Sequence, residues 1–166
     1  MKWRTHIAMS WILLPGLWLL GRLSLRTLPF TIAMLFVGSL LPDLYHPPVK
    51  RNAFLHSLAG AVVASSVASL LVAVCLQTLV SAELALSFEE AFRLIFPAYV
   101  LHLLGDSLTG GGIYLAWPFS SRRFRAAGYR YDDPFLNIVM SGFGIISLVI
   151  TIITMGLIEL KRVIPP

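Results

Sequence analysis

His102 and Asp106 form the pattern H-x-x-x-D near the end of an apolar stretch. A spacing of four residues places both side chains on one face of a helix, about one turn apart. An imidazole and a carboxylate in that arrangement can hold one divalent metal ion. The same pair also occurs at helix ends as a hydrogen-bonded pair without a metal. Because ionisable side chains within an apolar segment are costly, they indicate a functional site, and both residues are candidate metal ligands.

A second polar group lies in the stretch PDLYHPPVKRNAFLHSL. Its polar and ionisable members include Asp43, Tyr45, His46, Lys50, Arg51 and His56. Pro42, Pro47 and Pro48 restrict the backbone here, so the loop could hold ligands in fixed positions. The alternative is a turn beside a membrane whose Lys50 and Arg51 contact lipid phosphates.

His6 stands at the start of the first apolar segment. A single histidine there is commonly an amphipathic residue of the membrane interface. Three separate stretches nevertheless supply imidazoles and carboxylates, and such mixed nitrogen and oxygen sets suit zinc, manganese or iron. A shared divalent metal site therefore requires the fold to bring the three stretches to one place.

The composition decides which class of protein must position these residues. Hydrophobic residues make up 57% of the 166 residues and charged residues 13%, with a mean hydropathy of +0.81. Soluble domains carry about 25% charged residues, so a soluble globule is excluded. The single cysteine, Cys75, excludes an internal disulfide framework and a cysteine-based zinc site. The sequence predicts one all-α membrane domain over residues 1–166.

Five apolar segments can carry the bundle. They are Ile7 to Leu20, Leu28 to Leu41, Leu58 to Val80, Phe88 to Leu104 and Phe135 to Ile158. The third and fifth are long and free of charge, so they are predicted to cross the membrane as helices. The first is interrupted by Pro15 and Gly16, the second is short, and the fourth carries charges near its start. These three can be re-entrant or lie at the interface.

Five crossings would place both polar loops and the segment before the first crossing on one face of the membrane. That face would hold all four histidines together with Asp43, Asp106, Asp132 and Asp133. It would also hold Lys2, Arg4, Lys50, Arg51, Arg122, Arg123, Arg125 and Arg130, against Arg22, Arg26, Arg93, Lys161 and Arg162 on the other. The excess of basic residues predicts that this face is cytoplasmic, with the N-terminus on that side. Basic residues placed between apolar segments suit lipid headgroups, and no nucleic acid is expected as a partner.

The order of these motifs resembles the YdjM-type membrane-bound metal-dependent hydrolases. The resemblance rests on His6 and on the stretches GSLLPDLYHP, RNAFLHSL and HLLGDSLTGGGIYLAWPF, and it covers about residues 6–119. It implies metal ligation by His6, Asp43, His56, His102 and Asp106, with His46 as a weaker candidate, and catalytic roles for Asp43, His56 and Asp106. That family is in turn remotely similar to the zinc-dependent phospholipase C and P1 nuclease group. Those all-helical enzymes bind metals through His and Asp and cleave phosphate esters.

Two positions depart from the family pattern. The family often reads P-D-x-D-H, and this chain has Tyr45 in place of the second aspartate. The family also often has His-Arg ahead of T-H-S, and here the corresponding residues are Lys50-Arg51 and, before His56, Leu55. Because two possible ligands are missing, either the site holds fewer metal ions or activity is reduced or lost.

The resemblance implies a metal-dependent hydrolase at the cytoplasmic membrane surface, acting on a phosphate ester that is a lipid or is linked to one. Arg51, Arg122 and Arg123 are candidates for binding the substrate phosphate, because a guanidinium matches its oxygens. The same arginines can instead set the topology. The glycines at 110–112 allow either a flexible helix exit or close backbone approach to phosphate. A different class remains open, namely a metal transporter or an adaptor with a structural metal. Ligands at helix ends favour surface chemistry over transport.

Overall fold

The computed structural model describes residues 1–44, 51–79 and 86–163. Its helices are α1 (Trp3–Ser10), α2 (Leu14–Leu19), α3 (Leu28–Leu40), α4 (Leu58–Leu79), α5 (Phe88–Ser107) and α6 (Pro134–Val163). Short 3-10 turns follow α1 at Trp11–Leu13 and α3 at Leu41–Asp43. Within the described ranges the chain forms no strand, only two isolated β-bridges. The predicted all-α class is confirmed.

Two of the described helices are long and apolar enough to cross a membrane. They cover Leu58–Thr78 in α4 and Pro134–Lys161 in α6, the two segments expected to do so. Much of their apolar surface faces outward, as shown by exposed Val67, Leu71 and Ile150. The stretch Leu28–Asp43 forms a shorter apolar helix. This arrangement is that of a helical membrane bundle.

The first apolar segment is not one continuous helix. The α-helical pattern stops at Ser10, passes through the 3-10 turn and resumes at Leu14. Pro15 lies in the first turn of α2, where its missing N–H costs nothing. The break therefore lies just ahead of the proline and glycine that mark it in the sequence.

Helix α5 lies at the centre of the bundle, because α3 and α4 both pack against it. A side chain at Gly38 of α3 would collide with the backbone of Ile95, so glycine allows these two helices to approach closely. On α4, small residues at Ala61, Ser65 and Ser69 are fully buried. Close packing fixes the ends of α3, α4 and α5 relative to one another.

The start of α5 is fixed by a capping box. The Ser87 hydroxyl accepts a hydrogen bond from the Glu90 backbone N–H, and the Glu90 carboxylate accepts one from the Ser87 N–H. These bonds satisfy two amide groups that an uncapped helix leaves without partners. From this start the helix runs through Pro97 to Ser107, so His102 and Asp106 occupy its last turns.

Candidate metal centre

The five residues proposed as ligands lie at one end of the bundle, although they come from four parts of the chain. His6 is on α1, Asp43 ends the turn after α3, His56 precedes α4, and His102 and Asp106 are on α5. Two groups have ligand atoms within 4.8 Å of one another: His6 with His102 and Asp106, and Asp43 with His56 and His102. His46, Tyr45 and Lys50 fall outside the described residues.

Four side-chain atoms surround the middle of this cluster. The Nε2 atoms of His56 and His102 each lie 3.7 Å from Oδ1 of Asp43. The same two atoms each lie 3.5 Å from Oδ2 of Asp106. An N–H···O hydrogen bond is shorter, about 2.7–3.2 Å. Two ligands of a tetrahedral zinc ion, each about 2.0–2.1 Å from the metal, are about 3.4 Å apart. These four spacings are close to the distance between two ligands of one zinc ion, and the residues form two groups of three that share His102.

Backbone carbonyls fix the orientation of both imidazoles. Nδ1 of His102 donates a hydrogen bond to the Ser39 carbonyl oxygen at 2.7 Å. Nδ1 of His56 donates to the Asn52 carbonyl oxygen at 3.1 Å. With the proton on Nδ1, the lone pair of Nε2 points toward the centre, as in metal-bound histidines. Nε2 of His102 is buried and has no hydrogen-bond partner among the described residues, which also fits a ligand role.

His6 lies beside this group and differs from the other two histidines. Its ring stacks on that of His102, with centroids 3.8 Å apart and an interplanar angle of 15°. Its Nε2 is 3.3 Å from Oδ1 of Asp106. Neither ring nitrogen forms a hydrogen bond within the described part of the chain. His6 is thus placed either as a further ligand or as a neighbour that holds His102 and Asp106.

The position of α1 depends on a glycine and an asparagine. A Cβ at Gly105 would lie 3.2 Å from Cε1 of His6, so a larger residue would push α1 away from α5. On the other side, Oδ1 of Asn137 in α6 accepts hydrogen bonds from the Thr5 hydroxyl at 2.6 Å and the Lys2 N–H at 3.1 Å. These contacts place His6 against the end of α5.

The second oxygen of Asp106 lies beside a guanidinium. Nη2 of Arg51 lies 3.1 Å from Oδ1, and the Met1 backbone nitrogen lies 2.9 Å from the same atom. Nη1 of Arg51 also donates to the Gly112 carbonyl oxygen at 2.7 Å. A Cβ at Gly111 would come within 2.9 Å of Cζ of Arg51. The glycine-rich turn after α5 therefore leaves room for a guanidinium beside the cluster.

The turn that carries His56 is held by hydrogen bonds within itself and from two other parts of the chain. Oδ1 of Asn52 accepts from the Phe54 N–H at 3.0 Å. The Tyr99 hydroxyl of α5 donates to the Leu55 carbonyl oxygen at 2.6 Å, and the Tyr114 N–H donates to that of His56 at 2.8 Å. Sequence reasoning missed these supports. Of the residues that provide them, Asn52 could have been found from the sequence, because an asparagine side chain commonly stabilises a turn by accepting a hydrogen bond from the backbone N–H two residues later.

Burial would lower the pKa of His56, but the carboxylates of Asp106 and Asp43 outweigh it, and the pKa is raised overall. Nε2 of His56 faces both carboxylates at 3.5 and 3.7 Å. Without a metal, the two negative charges therefore favour a proton on this ring. A metal ion must displace that proton in order to bind.

The three arginines proposed for phosphate differ in their placement. Arg51 touches the cluster, as described above. Nε of Arg123 instead donates to the Tyr114 hydroxyl at 2.9 Å, and its guanidinium lies over the Tyr114 ring. Arg122 is exposed. Of these three residues, Arg51 is the one in direct contact with the candidate ligands.

Fold and cluster together define a helical membrane protein with a buried His and Asp centre suited to a metal ion. The chain belongs to the YdjM inner membrane protein family, whose model matches residues 1–163. No curated protein and no solved structure shows significant similarity to this chain.

Proposed function

We propose that this protein is a membrane-bound hydrolase that uses a divalent metal ion to cleave a phosphate ester. The main observation is that two imidazole nitrogens and two carboxylate oxygens lie at the distances expected between metal ligands. Backbone carbonyl oxygens accept hydrogen bonds from Nδ1 of both imidazoles and so fix their orientation. Family membership supplies the membrane location. A remote resemblance of that family to phospholipase C and P1 nuclease supports phosphate-ester hydrolysis as the reaction class.

Zinc is the first candidate for the metal, because a compact set of nitrogen and oxygen donors suits its tetrahedral preference. Manganese and iron accept the same donors. Asp43, His56, His102 and Asp106 would hold the ion, and His6 is a candidate fifth ligand. When bound, such an ion lowers the pKa of a coordinated water toward about 7 and neutralises charge on phosphoryl oxygens.

The exposures of these side chains indicate where a substrate would enter. The side chains of His6, His56, His102 and Asp106 are almost fully buried, whereas that of Asp43 is 28% exposed and that of Arg51 is 19% exposed. The open side of the cluster therefore lies at Asp43 and Arg51. Arg51 would bind the substrate phosphate, because its planar fork matches two phosphate oxygens. Asp43 would accept the proton of the attacking water.

A lipid or lipid-linked phosphate ester is the proposed substrate class. His56 lies two residues before α4, a helix able to cross a membrane, so the cluster lies at the membrane surface. A phosphate attached to a lipid is held at that depth. The excess of basic residues in the adjoining loops supports the cytoplasmic face as the site of reaction.

Metal analysis followed by a hydrolysis screen tests the proposal. The protein is purified in detergent, its metal content is measured, and bis(p-nitrophenyl) phosphate and phospholipids are offered as substrates. We expect hydrolysis by the zinc-loaded protein, and its loss in Asp43→Asn and His102→Ala. Asp132→Asn is the matched control, because this carboxylate pairs with Arg130 away from the cluster, and it should retain full activity. A metal-loaded protein inactive on every substrate would refute the hydrolase.

A second candidate is a non-enzymatic adaptor with a structural metal. The observation that favours it is the pairing of Oδ1 of Asp106 with the Arg51 guanidinium, which neutralises the carboxylate and fits a purely structural cluster. In the same screen, stoichiometric metal without turnover, together with a loss of thermal stability on chelation, would support this candidate.

A further inference from the structure

Residues 109–131, which follow α5, form a folded-back loop that is rich in arginine and is held by two isolated β-bridges; we call it the basic hairpin. The Ile113 N–H donates to the Phe124 carbonyl oxygen at 3.0 Å and the Phe124 N–H donates back at 2.8 Å, while the Gly110 N–H donates to the Tyr129 carbonyl oxygen at 2.9 Å. Gly112, at a φ of 60°, ends a tight turn just before this pairing, since its N–H donates to the Thr109 carbonyl oxygen at 3.0 Å. The basic hairpin contains Arg122, Arg123, Arg125 and Arg130 and no acidic residue. Arg130 pairs with Asp132 just beyond this range, so the positive charge of the basic hairpin is concentrated at Arg122, Arg123 and Arg125.

The basic hairpin is fixed at the level where two membrane-crossing helices begin. The Tyr114 N–H donates to the carbonyl oxygen of His56, just ahead of α4, and the Leu58 N–H donates to that of Leu115 at 3.4 Å. The hairpin ends only a few residues before α6 starts at Pro134. Because α4 and α6 enter the membrane at these points, the hairpin is held at the headgroup level.

Aromatic side chains of the basic hairpin face outward. Phe119 is 96% exposed and Tyr131 63% exposed, and Phe124 is about half exposed. Trp117 instead packs edge-on against Phe54, with centroids 5.5 Å apart. Aromatic rings at the headgroup level combined with arginines are the features that bind an anionic membrane surface.

We propose that the basic hairpin lies on the membrane and binds the headgroups of anionic phospholipids. Arg122 and Arg125, both exposed, pair with lipid phosphates, and Phe119 enters the region between headgroups and acyl chains. Positive charge complements the anionic lipid, and the tether to α4 commits the hairpin to the bilayer in which the protein resides. This surface is independent of any metal or hydrolytic activity.

A fluorescent probe at the tip tests the proposal in the full-length protein. Cys75 is the chain's only cysteine, so Cys75→Ser with Phe119→Cys gives one labelling site for an environment-sensitive dye. The labelled protein is placed in nanodiscs of neutral phosphatidylcholine, with or without about one-third phosphatidylglycerol. We expect a blue-shifted emission and at least about twofold protection from acrylamide when the anionic lipid is present. Native Cys75, exposed on α4, provides the reference for a dye in lipid.

Charge-matched variants separate headgroup binding from a general charge effect. Arg122→Gln with Arg125→Gln should abolish the protection conferred by the anionic lipid. Arg22→Gln with Arg26→Gln removes the same charge from the exposed turn between α2 and α3 and should leave the protection unchanged. A water-like emission in both lipid mixtures would overturn the proposal, as would protection that does not depend on the anionic lipid. Protection that appears only on adding RNA to neutral nanodiscs would assign the hairpin to nucleic acid and overturn it as well.

Discussion

Replacing His102 by alanine should weaken zinc binding by about 100- to 1000-fold. Four donor atoms surround the centre of the cluster, and the four-ligand zinc sites of zinc-finger peptides, taken as a guide, have an apparent binding free energy of about 10–16 kcal/mol at neutral pH. An equal share is about 3 kcal/mol per ligand, and about 1.4 kcal/mol corresponds to a tenfold change in affinity. His102 also faces both carboxylates and its ring contacts that of His56 edge-on, so its removal affects the other three ligands directly.

His6→Ala is the matched comparison, because His6 is equally buried and carries the same ring. If His6 holds its neighbours without ligating, its loss should cost about tenfold, the lower end for residues that support a metal ligand. If it is a ligand, its loss should match that of His102→Ala. Zinc affinity is measured by competition with a chromophoric chelator in detergent, and circular dichroism establishes that each variant retains its helices. A folded His102→Ala protein with wild-type zinc affinity would refute the four-ligand geometry.

Three further outcomes are expected. Zinc affinity should rise with pH, by up to about tenfold per pH unit below the raised pKa of His56, because the metal and the proton compete for the same nitrogen. Zinc affinity measured by chelator competition that does not change from about pH 5 to 7 would contradict this. Gly111→Ala should displace the adjacent guanidinium of Arg51 and raise the KM for a phosphate ester several-fold at unchanged metal content. The control Gly110→Ala, whose Cβ meets no atom closer than 3.9 Å, should leave the KM unchanged. Equal KM values for the two variants would exclude a substrate role for the guanidinium. Tyr99→Phe removes the hydroxyl that supports the turn before α4 and should lower the free energy of unfolding by about 1–2 kcal/mol. The measurement is the Tm in detergent, and an unchanged Tm would show that this hydrogen bond does not contribute to stability.

The spacing of His102 and Asp106 and the all-helical class could be predicted because both depend on periodicity and composition. The expected grouping of His6, His56 and His102 at one end agrees with the structure, whereas the five crossings from which it was argued stay a prediction. The carbonyl oxygens of Ser39 and Asn52, which orient the imidazoles, could not be predicted, since every residue has a carbonyl and its direction depends on the tertiary fold. The need for glycine at position 105 could not be predicted either, because it arises from the close approach of α1 to α5 in the folded protein.

The distribution of the ligands along the chain has a consequence for assembly. No single helix or turn supplies more than two of the donors, and residues from before α4 must meet the end of α5. A metal ion bound there would act as a cross-link that recognises only the assembled bundle. Free metal at about 100 times its Kd would then stabilise the assembled state by about 2.7 kcal/mol. The assembled bundle would then unfold at a higher temperature as the concentration of free metal rises.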